Sequence, residues 1–290
     1  MIKFELHLPV KSQDDSVIEL LANACRAHAL FSNGQLKMAI TKGALWLERG
    51  KNIDRLRKVK KSLIPDDVLH FYYDEYVLSQ TCLAAHIIED FIEYSVIYKP
   101  SGMPCNGSKW ADHCTVTRWA ETQLTPQRPA FLVHRLDKAA SGLLLIAHSK
   151  KAAKALSHLF EQRKITKKYQ VLVHGLVEEN VIHTTTPINN KAASTFFSYA
   201  DKSIKAMISL LNVEIETGRK HQIRLHAADL GYPVVGDRLH GNANNDTQVN
   251  LQLTAVHLSF TCPLTEQVKD INLTTSLKPD LIGVAKILTS

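Results

Sequence analysis

The chain has 290 residues, 45% of them hydrophobic, and a formal net charge of +7. That length suits one large domain with a small appendage, and nothing in the composition suggests disorder or a fibre. The longest apolar run, Leu143 to Ala147, is far too short to span a membrane, and the basic balance favours a polyanionic partner.

Residues 1–75 read as a small separate unit. Asp15 or Ser16 is placed to cap a helix running to about Arg26, with Ile18, Leu21 and Ala22 on one face. A second helix is expected from Asn33 to Lys42, ended by Gly43. Ala44 to Leu47 then reads as a strand, with Glu48-Arg49-Gly50-Lys51 as its turn. Six cations follow between residues 51 and 61, namely Lys51, Arg55, Arg57, Lys58, Lys60 and Lys61, against Asp54 alone. Such a cluster can replace counterions along a phosphate backbone, and a solvated basic face is the plainer alternative. Asp66-Asp67 marks a turn before a strand from Val68 to Tyr72, and residues 76–86 read as a linker.

From Ile87 the pattern is mixed α and β. Strands are expected at Tyr94 to Tyr98, Gly142 to His148, Lys168 to His174 and Leu211 to Glu216. Helices are expected at Thr115 to Gln123, from a Ser149 cap to about Arg163, and from Lys220 to Leu230. The MIKFELHLPV start has no basic region ahead of an apolar core, so no secretory signal is read there. The five cysteines, Cys25, Cys82, Cys105, Cys114 and Cys262, contain no CxxC pair. They read as reduced thiols in a cytoplasmic protein, with no zinc site, since adjacent residues such as His113 and Cys114 rarely share a metal.

Three stretches can carry chemistry. Asp137 lies between His134-Arg135 and the buried strand, where a carboxylate can face a pocket; alone it is more often a cap or loop staple. The stretch from Thr217 to Asp237 concentrates Arg219, Lys220, His221, Arg224 and His226 at the start of a helix. There His221, Arg224 and, less well, Arg219 can point together, to bind phosphate or to pair with a carboxylate. Tyr169, on the strand Lys167 to Gly175, is either core or a stacking surface for a base.

Together and in this order, these motifs resemble the RluA-type RNA pseudouridine synthases. The family's HRLD, three variable residues, then SGLLL is matched by His134 to Asp137 and Ser141 to Leu145. A Lys-Tyr pair opening a strand that ends in Gly is matched by Lys168, Tyr169 and Gly175. The Gly-Arg-x-His-Gln-Ile-Arg run with its later Gly-x-Pro and Gly-Asp is matched by Gly218, Arg219, His221 to Arg224, Gly231, Pro233, Gly236 and Asp237. A Lys-Pro-x-Gly-Met-Pro turn is matched by Lys99, Pro100, Gly102, Met103 and Pro104. Departures are Ala140 and Lys220, where Thr is common, and an unusual loop at residues 105–112. The N-terminal segment resembles the small alpha-L RNA-binding domain of a ribosomal small-subunit protein, through Ser32, Lys37, Ile40, Lys42, Gly43, Leu45, Leu63, Asp67 and Leu69; Arg49-Gly50 stands where that family has Asn-Gly.

The resemblance implies an α+β catalytic domain over residues 87–290, with a central mixed, mainly antiparallel sheet flanked by helices and loops. It implies a monomer that isomerises uridine to pseudouridine in structured RNA without cofactor or metal. The bond from ribose C1′ to uracil N1 breaks, the base turns while bound, and C5 is joined instead. Asp137 would attack C1′ or remove the C2′ proton, Arg224 would pair with it, and Tyr169 would stack on the uracil. His134, Arg135, Lys168, Arg219 and His221 would contact the flipped nucleotide. Lys37 and Lys42, with the six cations of the basic run, would hold RNA. Arg224→Met is expected to lose most turnover without unfolding the chain. Relatives with an alpha-L domain often modify large-subunit rRNA and others tRNA; rRNA is the expectation here. Competing readings are a non-catalytic RNA-binding or ribosome-assembly protein, which needs no such carboxylate, and a paired-carboxylate glycosidase, for which no second acidic motif stands out.

Overall fold

Two runs of alternating burial, Lys3–Pro9 (β1) and Val68–Asp74 (β4), pair antiparallel along their whole length, from Lys3 opposite Asp74 to Pro9 opposite Val68. This is a computed structural model; it describes residues 1–178, 181–241 and 248–290. The chain divides into two compact units, Met1–Leu83 with Asn106–Trp119, and Ala84–Cys105 with Ala120–Ser290. Segment 106–119 therefore belongs with the first unit, although nothing in its composition separates it from the catalytic stretch around it.

In the first unit, Val17–Cys25 (α1) and Asn33–Thr41 (α2) precede the hairpin Leu45–Arg49 (β2) and Asn52–Arg55 (β3). The sheet order is β1-β4-β2-β3. Its core holds Leu21, Leu36, Ile40, Leu45, Leu69 and Phe71, all fully buried. Ser32 caps α2 through a complete capping box with Gln35. Ser16 occupies the cap position of α1 but makes no side-chain cap bond; Asp15 instead accepts from the Lys11 and Ser12 amides. Glu75–Ser79 (α3) is helical and overlaps the start of the stretch read as a linker; Asp74 caps it by accepting from the Val77 amide. Cys82 and Cys114 are paired as a disulfide with Cα atoms 4.5 Å apart, so the expectation of five reduced thiols is corrected; Cys25, Cys105 and Cys262 remain as buried thiols. Spacing could not show that pairing, because 32 residues separate the two positions.

The second unit is built on His86–Asp90 (β5), Tyr94–Lys99 (β6), Phe131–Leu132 (β7), Ser141–Ala147 (β8), Thr166–His174 (β9), Val181–Thr184 (β10), Thr195–Ser203 (β11), Ile208–Ile215 (β12), Leu253–Thr261 (β13) and Val268–Asn272 (β14). The path runs β10-β11-β12-β9-β13-β8-β6-β5, with β14 on β13 and β7 on β8. Among the described residues only β8 and β13 pair in parallel, so the sheet is mixed and mainly antiparallel. The division between units falls within the helix Val116–Gln123 (α4). Lys150–Glu161 (α5) starts at the Ser149 cap and buries Ala152 and Leu156 against Leu143, Leu145 and Leu258. Gln222–Asp229 (α6) and Leu281–Thr289 (α7) complete the unit.

Gly142 is required where β8 meets β13. Its φ is 114°, and a Cβ there would lie 2.3 Å from the Ala255 carbonyl oxygen. The side-chain-free approach holds the strand five residues after Asp137 flush against the sheet centre. No helix among the described residues is long and apolar enough to cross a membrane.

Candidate active site

The loop between β7 and β8 carries Asp137, and its shape is set from beneath by a buried cation. Lys99 ends β6 fully buried, with its ammonium donating to the carbonyls of Pro100, Met103, Lys138 and Ala140 at 2.6–3.2 Å. Two of those acceptors follow Asp137 in the same loop. The Ser101 hydroxyl and the Gly102 amide add bonds to Ala139 and Lys138, so the Lys-Pro-x-Gly-Met-Pro turn is the seat of the loop. Burial pulls the Lys99 ammonium down to about 8, against the raising effect of Cys105 and Asp137, so it stays largely protonated at neutral pH. Lys99→Met strands four acceptors. It is expected to cost about 3 kcal/mol or more and to lower turnover with it. Chemical denaturation and a turnover assay check this; unchanged turnover would mean the loop holds itself.

The other side of Asp137 comes from α6. His221 starts that helix in a left-handed conformation, φ 57°. Gln222 and His226, one turn apart, face inward and latch the helix to β11. The Gln222 amide donates to the Ser194 carbonyl and the Thr195 hydroxyl, and His226 Nδ1 lies 2.8 Å from the same hydroxyl. That latch leaves His221 and Arg224, at i and i+3, on the face toward Asp137. Arg224 Nη1 donates to Asp137 Oδ2 at 3.2 Å, and His221 Nε2 is 3.8 Å from Oδ1.

Arg224 is itself held. It is 3% exposed and grips Asp237 with two bonds, Nε to Oδ2 at 2.7 Å and Nη2 to Oδ1 at 2.6 Å. Asp237 also accepts from the amides of Leu239 and His240. Burial opposes the charge on both partners. It is outweighed at Arg224 by Asp237 and then Asp137, holding the guanidinium above its ordinary value, and at Asp237 by Arg224 and the two amides, holding the carboxyl below its own. His221 Nδ1 meets His240 Nε2 at 2.8 Å; burial lowers His221, against the raising effect of Asp137.

Asp137 opens on a cavity of about 590 Å³, lined by His134, Arg135, Arg163, Lys167, Tyr169 and Arg219 among others. The Tyr169 hydroxyl is pushed well above its usual range, first by burial and then by the Asp137 charge, so it stays protonated at neutral pH. Arg135 is exposed on the cavity wall, and Arg219 is steadied by Nε donating to the Ala192 carbonyl. His134 is occupied structurally. Its Nε2 accepts from the Leu145 amide, its ring stacks on Phe160 at 4.3 Å, and burial holds it down to about 3, so it is neutral.

Lys168 is not brought to this cavity. Side chains alternate along β9, so Lys167 and Tyr169 line the cavity while Lys168 is half-exposed 4.0 Å from Glu214. Lys167, lowered by burial and then by Arg163, is the cation that the strand period could have identified. Asp237 and Lys99 stand within the matched motifs, yet nothing in the motifs gives either a role. His240 had no signal, since it is 19 residues from its partner.

The basic run of the first unit divides. Arg55 and Arg57 both turn inward to Asp112, and Arg55 also donates to the Ser108 carbonyl and lies over the Trp46 ring. Lys42 donates to the Leu78 carbonyl. All three are engaged by partners within the first unit. Lys37, Lys51, Lys58, Lys60 and Lys61 are exposed. Sequence distance hid Asp112, which lies 55 residues beyond Arg57.

A carboxylate braced by a buried ion pair on a mixed sheet opens on a cavity walled by Arg135, Arg163, Lys167 and Arg219 together with Glu161 and Glu216, the arrangement of an enzyme site. The family model described as RNA pseudouridylate synthase matches residues 93–229. The tRNA pseudouridine synthase C of Haemophilus ducreyi is 31% identical over 207 residues, covering 60% of this chain and 84% of that one. The ribosomal large subunit pseudouridine synthase D of Nitrosomonas europaea is 32% identical over 60% of this chain, which spans 57% of that enzyme's length. Among solved structures, the human RNA Pseudouridylate Synthase Domain Containing 1 shares the fold with a TM-score of 0.58 at 20% identity, over 73% of this chain and 97% of that one. The chain belongs to the RNA pseudouridine synthase family, of the RluA type, and its enzyme class is the isomerases.

Proposed function

We propose that the chain converts specific uridines of large-subunit rRNA to pseudouridine in the cytoplasm, with Asp137 as the reacting carboxylate. The observation that carries this reading is the Asp137–Arg224–Asp237 chain at the edge of the cation-lined cavity. Asp237 balances Arg224, so Arg224 can steady the Asp137 carboxylate without needing it for its own neutrality. Asp137 attacks C1′ or takes the C2′ proton. The uracil stacks on Tyr169 while it turns, and Arg135, Arg163, Lys167 and Arg219 hold the phosphates and ribose of a nucleotide that has left its stack. No cofactor enters this scheme, because the reaction is an isomerisation in which atoms balance.

The rRNA assignment rests on the first unit, read as an alpha-L-like domain with exposed Lys37, Lys51, Lys58, Lys60 and Lys61. Replacing Lys58, Lys60 and Lys61 together by Ala is expected to weaken RNA binding at low salt. The slope of log affinity against log salt should fall by about 0.7–0.9 for each phosphate that is no longer neutralised. A mobility shift over a salt series measures it, and an unchanged slope would remove this unit from RNA binding. Mapping pseudouridine in total RNA with and without the chain tests the whole reading. A missing modification in large-subunit rRNA supports it, one confined to tRNA moves the target, and no difference anywhere defeats it.

A further inference from the structure

We infer that Cys82, His113 and Cys114 of the first unit form, when reduced, a binding site for a soft cation such as Zn²⁺. One donor atom from each residue lies within 4.8 Å of the others, the one such group of metal-ligating side chains among the described residues. None of the three lines the Asp137 cavity.

Both cysteines point at one spot, since their sulfurs pair across a Cα separation of 4.5 Å. His113 supplies the independent sign. Its Nε2 lies 3.2 Å from the Gln80 carbonyl oxygen, which can only accept, so Nε2 carries the proton and Nδ1 carries a lone pair. That Nδ1 is buried and has no hydrogen-bond partner. An unsatisfied buried acceptor is costly, and a cation would satisfy it. An imidazole that donates its other N–H to a carbonyl is also the arrangement that orients metal-binding histidines.

Consecutive residues can converge here because residues 112–115 form a turn, closed by the Thr115 amide donating to the Asp112 carbonyl at 3.0 Å. The two arginines on Asp112 and the Asp112 amide, bonded to the Lys42 carbonyl, fix that turn. The donor set decides the metal. Two thiolates and an imidazole suit zinc, at about 2.3 Å to sulfur and about 2.0 Å to nitrogen, and suit magnesium or calcium poorly. The disulfide is the oxidised, metal-free form. A dithiol reductant opens it to two thiols and leaves as its own cyclic disulfide; Zn²⁺ then displaces two protons from the thiols. Water completes the fourth position.

The full-length chain, reduced without air and freed of reductant, is titrated with Co²⁺ and then Zn²⁺. One Co²⁺ per chain with thiolate-to-cobalt charge-transfer absorption, displaced by Zn²⁺, supports the site. Cys82→Ser and Cys114→Ser should abolish that absorption, and His113→Ala should weaken binding tenfold or more, to about the degree that loss of a metal-site partner does. Absence of the signal in the reduced chain, its persistence in Cys82→Ser, or equal binding by the oxidised chain overturns the proposal. If a serine variant fails to fold, alkylation of the unaltered chain decides. Zn²⁺ should slow modification of Cys82 and Cys114 at least tenfold, and equal rates with and without it overturn the site.

Discussion

Asp137→Asn is expected to reduce pseudouridine formation by at least about 10³-fold, within the range that a reacting acid, base or nucleophile contributes. The substitution keeps shape and leaves an oxygen to accept from Arg224 Nη1. It removes only the charge and the basic, nucleophilic lone pairs. Little stability should be lost, under about 1 kcal/mol, because the Asp137 side chain is 25% exposed and Arg224 remains neutralised by Asp237. Fold and chemistry are therefore separable at this position. The measurement is a single-turnover assay on the mapped RNA, with denaturant unfolding of both proteins alongside. A variant that turns over at the parent rate would remove Asp137 from the reaction, whatever its surroundings.

The parts of this molecule that were legible in sequence are those whose determinants are local. The strand at Ser141–Ala147 and the helix capped by Ser149 follow from an apolar run and a single cap residue. The Asp137, Tyr169 and Arg224 set was legible only as three motifs in order, because no one of them exceeds a structural reading alone. What escaped was fixed by long-range pairing. Strand β11, TFFSYADKS, slips its register between Tyr199 and Asp201, which breaks the alternation that marks a strand. The inward pairing of Arg55 and Arg57 escaped because their carboxylate, Asp112, is more than fifty positions away. Lys168 was carried along by its neighbour Tyr169, although a strand sends adjacent side chains to opposite faces. Lys99 was invisible for a different reason. A lysine at a strand end reads as exposed, and only the four carbonyls converging on it explain its burial.

Arg224→Met is expected to lose turnover and also about 3–5 kcal/mol of stability, a cost that the sequence-based expectation of an intact fold did not include. The reason is Asp237. That carboxylate is 1% exposed, and removing its bidentate partner leaves a buried charge uncompensated. Stability against pH gives the signature. In the parent chain the Asp237 carboxyl sits below its ordinary value. Its contribution is then fully present above the unfolded value, near pH 4, and is lost as pH falls through the folded value. In Arg224→Met, burial without the cation raises the Asp237 carboxyl above its unfolded value. The folded state then binds more protons than the unfolded one, and stability falls as pH rises from about 4 toward the raised value. Urea unfolding between pH 3 and 7 should therefore show, from this group, stability rising with pH below about 4 in the parent and falling with pH above about 4 in the variant. Adding Asp237→Asn to Arg224→Met removes the stranded charge yet keeps an oxygen for the Leu239 and His240 amides. The double variant should recover much of the lost stability and none of the turnover. If it recovers both, Arg224 acts only as a brace for the fold; if it recovers neither, Asp237 is not what Arg224 neutralises.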